Sequence, residues 1–335
     1  MLSASHTIPI AQGYGTDSSD VRSGRRRPRL CTVHFGRQSE VLVISTYVRR
    51  LRLAAELAAL RQERRMSSEA LARAAGLPRT TVSRLENGRM RPNPNDVMKI
   101  LEHLKVTGEA WTTLLTIARQ ASERGWWESA ASEMGARQAL YANLEAGAST
   151  IREYQMTLLP GLLQTGEFTR ARAGVDKADW SAHFDPDQAV EARIGRQRVL
   201  HRPDGPTYEV VIDELAVRRP ATALPVLRDQ LIHIANQATT DAKISVRILP
   251  VDGQITGHMV PRSGFSIYTY PDPQDPVVVA VDTVTDDLVL TSPDAVNHYL
   301  DLYERLSDAA LAPQQSVRFL QETAEKITEP TGRAA

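Results

Sequence analysis

Cysteine is almost missing from this chain. Cys31 stands alone among 335 residues, so an internal disulfide framework and a multi-cysteine zinc site are both excluded. Aromatic residues supply only 5%, and no apolar run is long enough to cross a bilayer. Lysine is scarce as well: five lysines leave 35 arginines among the 40 basic residues, a bias that reports no function. The N-terminus lacks a basic region followed by an apolar stretch, so no secretory signal is read and the expected location is the cytoplasm. Signs of catalysis are missing too. The eight histidines fall at no metal-binding spacing, no GxSxG nucleophile turn occurs, and Gly161 lies in an apolar run rather than a phosphate loop. Adjacent carboxylates at Asp213-Glu214 and Asp286-Asp287 read as solvated turn residues. The chain is therefore expected to need no metal or cofactor and not to be an enzyme.

Net charge is also absent, but only in total. Residues 1–120 carry 20 basic and 10 acidic side chains, leaving 20 basic and 30 acidic for the remainder. One part suits a polyanion and the other does not. The length fits two domains, since single cores seldom grow past ~250–300 residues.

What is present is organised around Met66–Pro92. Ser67 or Ser68 offers an N-cap, with Glu69 at the positive end of the helix dipole. Leu71, Ala72 and Ala75 share a face, Gly76 permits the sharp turn, and Pro78 fits the first turn of the next helix. There Val82 and Leu85 face inward and Asn87-Gly88 stops the helix. A small residue at 72, glycine at 76 and aliphatics at 77, 82 and 85 together meet the spacing of a DNA-reading helix-turn-helix. The segment resembles the Cro- and lambda-repressor-like family, also called the xenobiotic-response-element family. The likeness rests on Leu71-Ala72, Gly76-Leu77, Ser83-Arg84-Leu85-Glu86 and the run from Gly88 through Pro92. The family's usual phosphate-touching glutamine is Ser68 here, and its usual preceding glycine is Arg65.

That resemblance implies double-stranded DNA as partner, contacted by Ser67, Ser68, Arg79, Thr80, Thr81, Ser83, Arg84, Asn87, Arg89 and Arg91. It also implies a structural pair between Arg61 and Glu86, with Gly76 as the turn. Around the motif, Leu51, Leu53, Leu57 and Leu60 give a helix over about 48–64. Pro94-Asn95-Asp96 opens a fourth helix and Trp111–Arg119 forms a fifth. The expected domains are a disordered N-terminal extension at 1–44, with its basic run Arg25–Arg29, then a helix-turn-helix domain at 45–120. Relatives by this resemblance usually begin near the equivalent of Ser45.

Residues 121–330 are expected to form an α+β regulatory or interaction domain with a mostly antiparallel sheet. Gly125-Trp126-Trp127 marks the passage into it, as packing or as a stacking platform. Strands are predicted at about 151–156, 208–212, 243–249 and 265–270, with a hairpin at 276–291, and helices at 166–173, 187–200, 223–237, 293–310 and 316–327. Arg193, Arg196 and Gln197 share a helix face, either as an anion site or as a salt-bridged surface. This half resembles the large, poorly characterised domain that follows the DNA-binding module in many regulators of high-GC bacteria. The likeness is carried by Trp127-Glu128, Leu159-Pro160-Gly161-Leu162-Leu163-Gln164-Thr165, Arg193-x-x-Arg196-Gln197, Arg228-x-Gln230-Leu231 and Val246-Arg247-Ile248-Leu249-Pro250. Together the two resemblances imply a transcriptional regulator whose second domain senses a ligand or protein. The alternative is an antitoxin-like interaction protein with autoregulatory DNA binding and a small partner encoded nearby. A homodimer is expected, with Leu300, Leu302, Leu306 and Leu311 as its surface.

Overall fold

Three of the five N-terminal helices open on a side-chain cap, and the first four stop at a residue with positive φ. In the computed structural model, which describes residues 44–180, 185–283 and 287–327, Ser45 accepts the Val48 amide and opens α1 (Thr46–Glu63). Ser67 does the same for α2 (Ser68–Ala74) through the Ala70 amide. A turn at Gly76, φ +64, leads to α3 (Arg79–Glu86). Asn93 caps α4 (Pro94–His103), and α5 (Gly108–Ser122) closes the bundle. Leu53, Leu57, Leu71, Ala72, Val82, Leu85, Ile100 and Leu101 make its core. All but the last residue of the expected extension at 1–44, with Cys31 and the Arg25–Arg29 run, lies outside the described residues, as does the hairpin tip at 284–286.

The second half continues with α6 (Trp126–Ser129) and α7 (Ala131–Glu145), which bends at Gly135. Then come β1 (Thr150–Gln155), α8 (Gly166–Trp180), α9 (Pro186–Gln197), β2 (Thr207–Asp213), α10 (Glu214–Arg218), α11 (Leu224–Thr240) and β3 (Ile244–Leu249). The chain ends with β4 (Phe265–Thr269), β5 (Val278–Val281), β6 (Leu288–Leu290), α12 (Pro293–Ala309) and α13 (Pro313–Lys326).

The strands form one sheet in the order β3-β2-β1-β4-β5-β6. The pairs β1–β2 and β2–β3 are parallel, whereas β1–β4, β4–β5 and β5–β6 are antiparallel. The sheet is thus mixed, antiparallel in three of its five strand pairs and parallel in the other two, so the expected antiparallel character holds only in part. Its parallel half follows from connectivity, because helices separate β1 from β2 and β2 from β3, and parallel neighbours need such crossovers. Both faces are covered. Ile151, Tyr208, Val210, Val246 and Ala280 face a core that includes Leu231 of α11 and Leu320 of α13. Tyr154, Val211, Phe265 and Val279 face a second core closed by α12.

Leu302 and Leu306 belong to that second core and are buried, while Leu300 and Leu311 are half-buried against the cores. The expected dimer surface therefore loses Leu302 and Leu306, which the second core of the same chain takes up.

Candidate nucleic-acid interface

Two helix ends build the motif. At the end of α2 the Leu77 amide donates to Ala72 O at 2.9 Å, and at the end of α3 the Arg89 amide donates to Arg84 O at 2.9 Å. Each bond closes a left-handed cap around a glycine, Gly76 and Gly88, both with positive φ. Pro78 precedes the first helical residue of α3 rather than lying in its first turn, and its carbonyl accepts the Thr81 and Val82 amides. With Val82 and Leu85 buried, the opposite face of α3 is exposed. Arg79, Thr80, Ser83 and Arg84 all lie on it, and no hydrogen bond or ion pair engages their side chains among the described residues. Thr81 is half-buried, Ser67 is an exposed cap, and Arg89 is exposed beyond the helix.

Three residues expected to meet DNA are engaged elsewhere. The Ser68 hydroxyl donates to Glu86 Oε2 at 2.8 Å. Asn87 Nδ2 donates to Ser83 O at 2.6 Å, so its amide finishes the helix. Arg91 forms an ion pair with Glu128 of α6 and ties the bundle to the second domain. The Arg61–Glu86 pair is present: Arg61 Nε donates to Glu86 Oε1 at 2.6 Å and Arg61 Nη1 to Met66 O at 2.7 Å. Glu86, at the end of α3, thus gathers the end of α1 and the start of α2.

A second tie between the bundle and the sheet domain escaped sequence reasoning. Arg49 and Arg52 of α1 reach Asp272 and Asp275, with Arg52 Nη1 at 2.5 Å from Asp272 Oδ2 and Arg49 Nη1 at 3.0 Å from Asp275 Oδ1. Arg52 and Asp275 are each only 4% exposed. Asp272 is pulled down to about 2: partial desolvation, acting alone, would raise it, but the hydrogen bonds from Arg52, the Gln274 amide and Arg49, with the charge of Arg52, together outweigh that. Asp275 is raised because burial outweighs both arginines. Asn143 adds a neutral link, its Oδ1 accepting from Ser45 Oγ and the Tyr47 amide. A separation of more than 200 residues hides the arginine–aspartate cluster from any local pattern.

Within the second domain the shared motifs prove to hold one loop. Gln230 donates to Leu163 O and accepts the Thr165 amide, while Gln197 donates to Gln164 O. Arg196 is buried against Glu145, so the salt bridge expected on a surface is an interior one. Arg193 lies over Gly161 beside Arg196, and burial lowers its guanidinium to about 9. Asp213 caps α10, and Glu214 accepts the Val251 amide and pairs with Arg218, so this carboxylate pair supports structure. A hollow of about 440 Å³, lined by Met259, Phe265, His298, Tyr299 and Leu302 among others, lies against α12 and away from α3.

A five-helix bundle with this tight turn and an outer basic face defines a helix-turn-helix protein, a class that suggests DNA binding and transcription regulation. The helix-turn-helix domain family matches residues 52–114. A second family, described as a domain of unknown function (DUF5753), matches residues 138–322, more than half of the chain, and the protein belongs to that family. No curated protein and no solved structure matches the chain. No helix among the described residues is long and apolar enough to cross a membrane.

Proposed function

We propose that the protein is a sequence-specific DNA-binding transcriptional regulator of the Cro- and lambda-repressor-like kind. The reading is carried by the exposed face of α3, where Arg79 and Arg84 have no side-chain partner among the described residues while Val82 and Leu85 lock the helix from behind. Such a helix offers a guanidinium for guanine O6 and N7 in the major groove and a second for phosphate. One module of this size buries too little surface for tight specific binding. The active form is therefore a homodimer, reading an inverted repeat with recognition helices ~34 Å apart. The second domain serves as the sensor of a ligand or protein, and the hollow against α12 supports that role.

The experiment is enrichment of random-sequence duplexes on the full-length protein, followed by affinity measurements across salt concentrations. The expected result is one enriched motif with two-fold symmetry and an affinity that falls steeply with salt. An enriched pool indistinguishable from the input overturns the reading.

A further inference from the structure

Arg65 is one of three residues other than glycine with positive φ among those described; its φ is +52. The others are Lys105, also at +52, and His258. Arg65 follows the last turn of α1: its amide donates to Gln62 O at 2.8 Å, and the Met66 amide donates to Arg61 O at 3.1 Å. This is the left-handed helix stop for which glycine is the unstrained choice. A side chain there carries a steric penalty, because Cβ crowds the following carbonyl.

The strained side chain does nothing visible for the fold. It is exposed, and among the described residues it makes no hydrogen bond or ion pair. Its place is informative. Arg65 stands two residues before Ser67, the exposed cap of α2, in a stretch pinned to the end of α3 by Arg61 and Ser68 through Glu86. The Ser68 hydroxyl is spent on that carboxylate, so the start of α2 lacks its expected phosphate donor. Arg65 is an exposed cation three residues before Ser68.

We propose that Arg65 grips a DNA phosphate at the start of α2, replacing the contact that Ser68 does not make. The inference rests on the DNA-binding reading above. Its ligand is the sugar–phosphate backbone, so the contact is independent of sequence.

Lys105 supplies an internal control. It has the same φ, stands at the equivalent stop of α4 with its amide donating to Glu102 O at 3.0 Å, and is an exposed cation. Full-length wild type, Arg65→Gly, Arg65→Lys and Lys105→Gly are compared on a mixed-sequence duplex over a range of salt. Both glycine variants are expected to melt at or above the wild type. Arg65→Gly alone should reduce the magnitude of the slope of log affinity against log salt by about 0.9, the value of one phosphate contact, and Arg65→Lys should keep the wild-type slope. An unchanged slope for Arg65→Gly, an equal drop for Lys105→Gly, or a lower melting temperature for Arg65→Gly overturns the assignment. If wild type shows no salt-dependent DNA binding, the DNA-binding reading itself falls and takes this inference with it.

Discussion

Arg61 Nε stands 2.6 Å from Glu86 Oε1, joining the last turn of α1 to the last residue of α3. Both side chains are largely shielded from water. Removing the cation leaves a carboxylate with Ser68 as its one side-chain partner among the described residues and leaves Met66 O without its side-chain donor. Arg61→Ala is expected to cost about 2–4 kcal/mol, toward the low side of a broken buried pair because the site is not fully dry. Thermal denaturation of the full chain checks this; a melting temperature equal to the wild type would show the pair to be idle.

Arg79 and Arg84 are five positions apart on α3, about 140° around the helix, so under the proposed function one guanidinium would read a base while the other would hold the backbone. Arg79, in the first turn, is assigned to the base. Arg79→Ala is expected to cost about 1–3 kcal/mol on the enriched motif and to relax one base pair of preference. Arg84→Ala should weaken all sequences alike and reduce the salt slope by about one. Equal losses for Arg79→Ala on enriched and random DNA would sink the assignment.

Glu153 titrates above the ordinary carboxylate range because burial disfavours its charge, although Tyr208 and Gln155 hydrogen-bond it. A raised folded value means that protonation stabilises the fold. That contribution is complete below the unfolded value, about 4.3, and is lost as pH rises through the folded one. Glu153→Gln fixes the neutral form. It should match the wild type in acid and melt higher at pH 7.5, by about 2–4 °C if the relief is about 1 kcal/mol. Melting curves that diverge in acid and merge at neutral pH would contradict the sign.

Gly125 opens α6, and a Cβ there would come well inside van der Waals contact of the ring of Trp127, which is buried with Met134, Ala142 and Ala192. A rigid indole in a packed site cannot step aside at little cost. Gly125→Ala is expected to lose about 2–3 kcal/mol, and the tryptophan fluorescence should shift to the red as the ring leaves its site. An unshifted spectrum with wild-type stability would refute this packing account.

The bundle was legible because its information is local. Ala72, Gly76, Val82 and Leu85 lie within one short segment, and the structure brings them together. Arg61 and Glu86 followed from the resemblance and do meet. The carboxylate partners of Arg91 and Ser68 were not legible, because Glu128 and Glu86 come from other elements. The strands were legible from alternation, but their directions were not taken from the intervening α8, α9 and α11, although these crossovers hold that information. Leu302 and Leu306 show the remaining limit: an apolar helix face announces a partner but not whether it belongs to the same chain.

Helix α1 is the feature with the widest mechanical meaning. Val48, in its first turn, lies in the core beneath the sheet, whereas Leu53 and Leu57 lie in the core beneath the recognition helix. The two modules therefore share a beam and not a tether. Eighteen residues make a rod of about 27 Å, so a 5° rocking of the seated end carries the far end through roughly 2 Å. That far end bears Arg61, whose carboxylate partner terminates α3. A small torque at the sheet is thus delivered as displacement where DNA would be read. Cutting the chain at the start of the helix-turn-helix match, residue 52, would sever this beam within its own length.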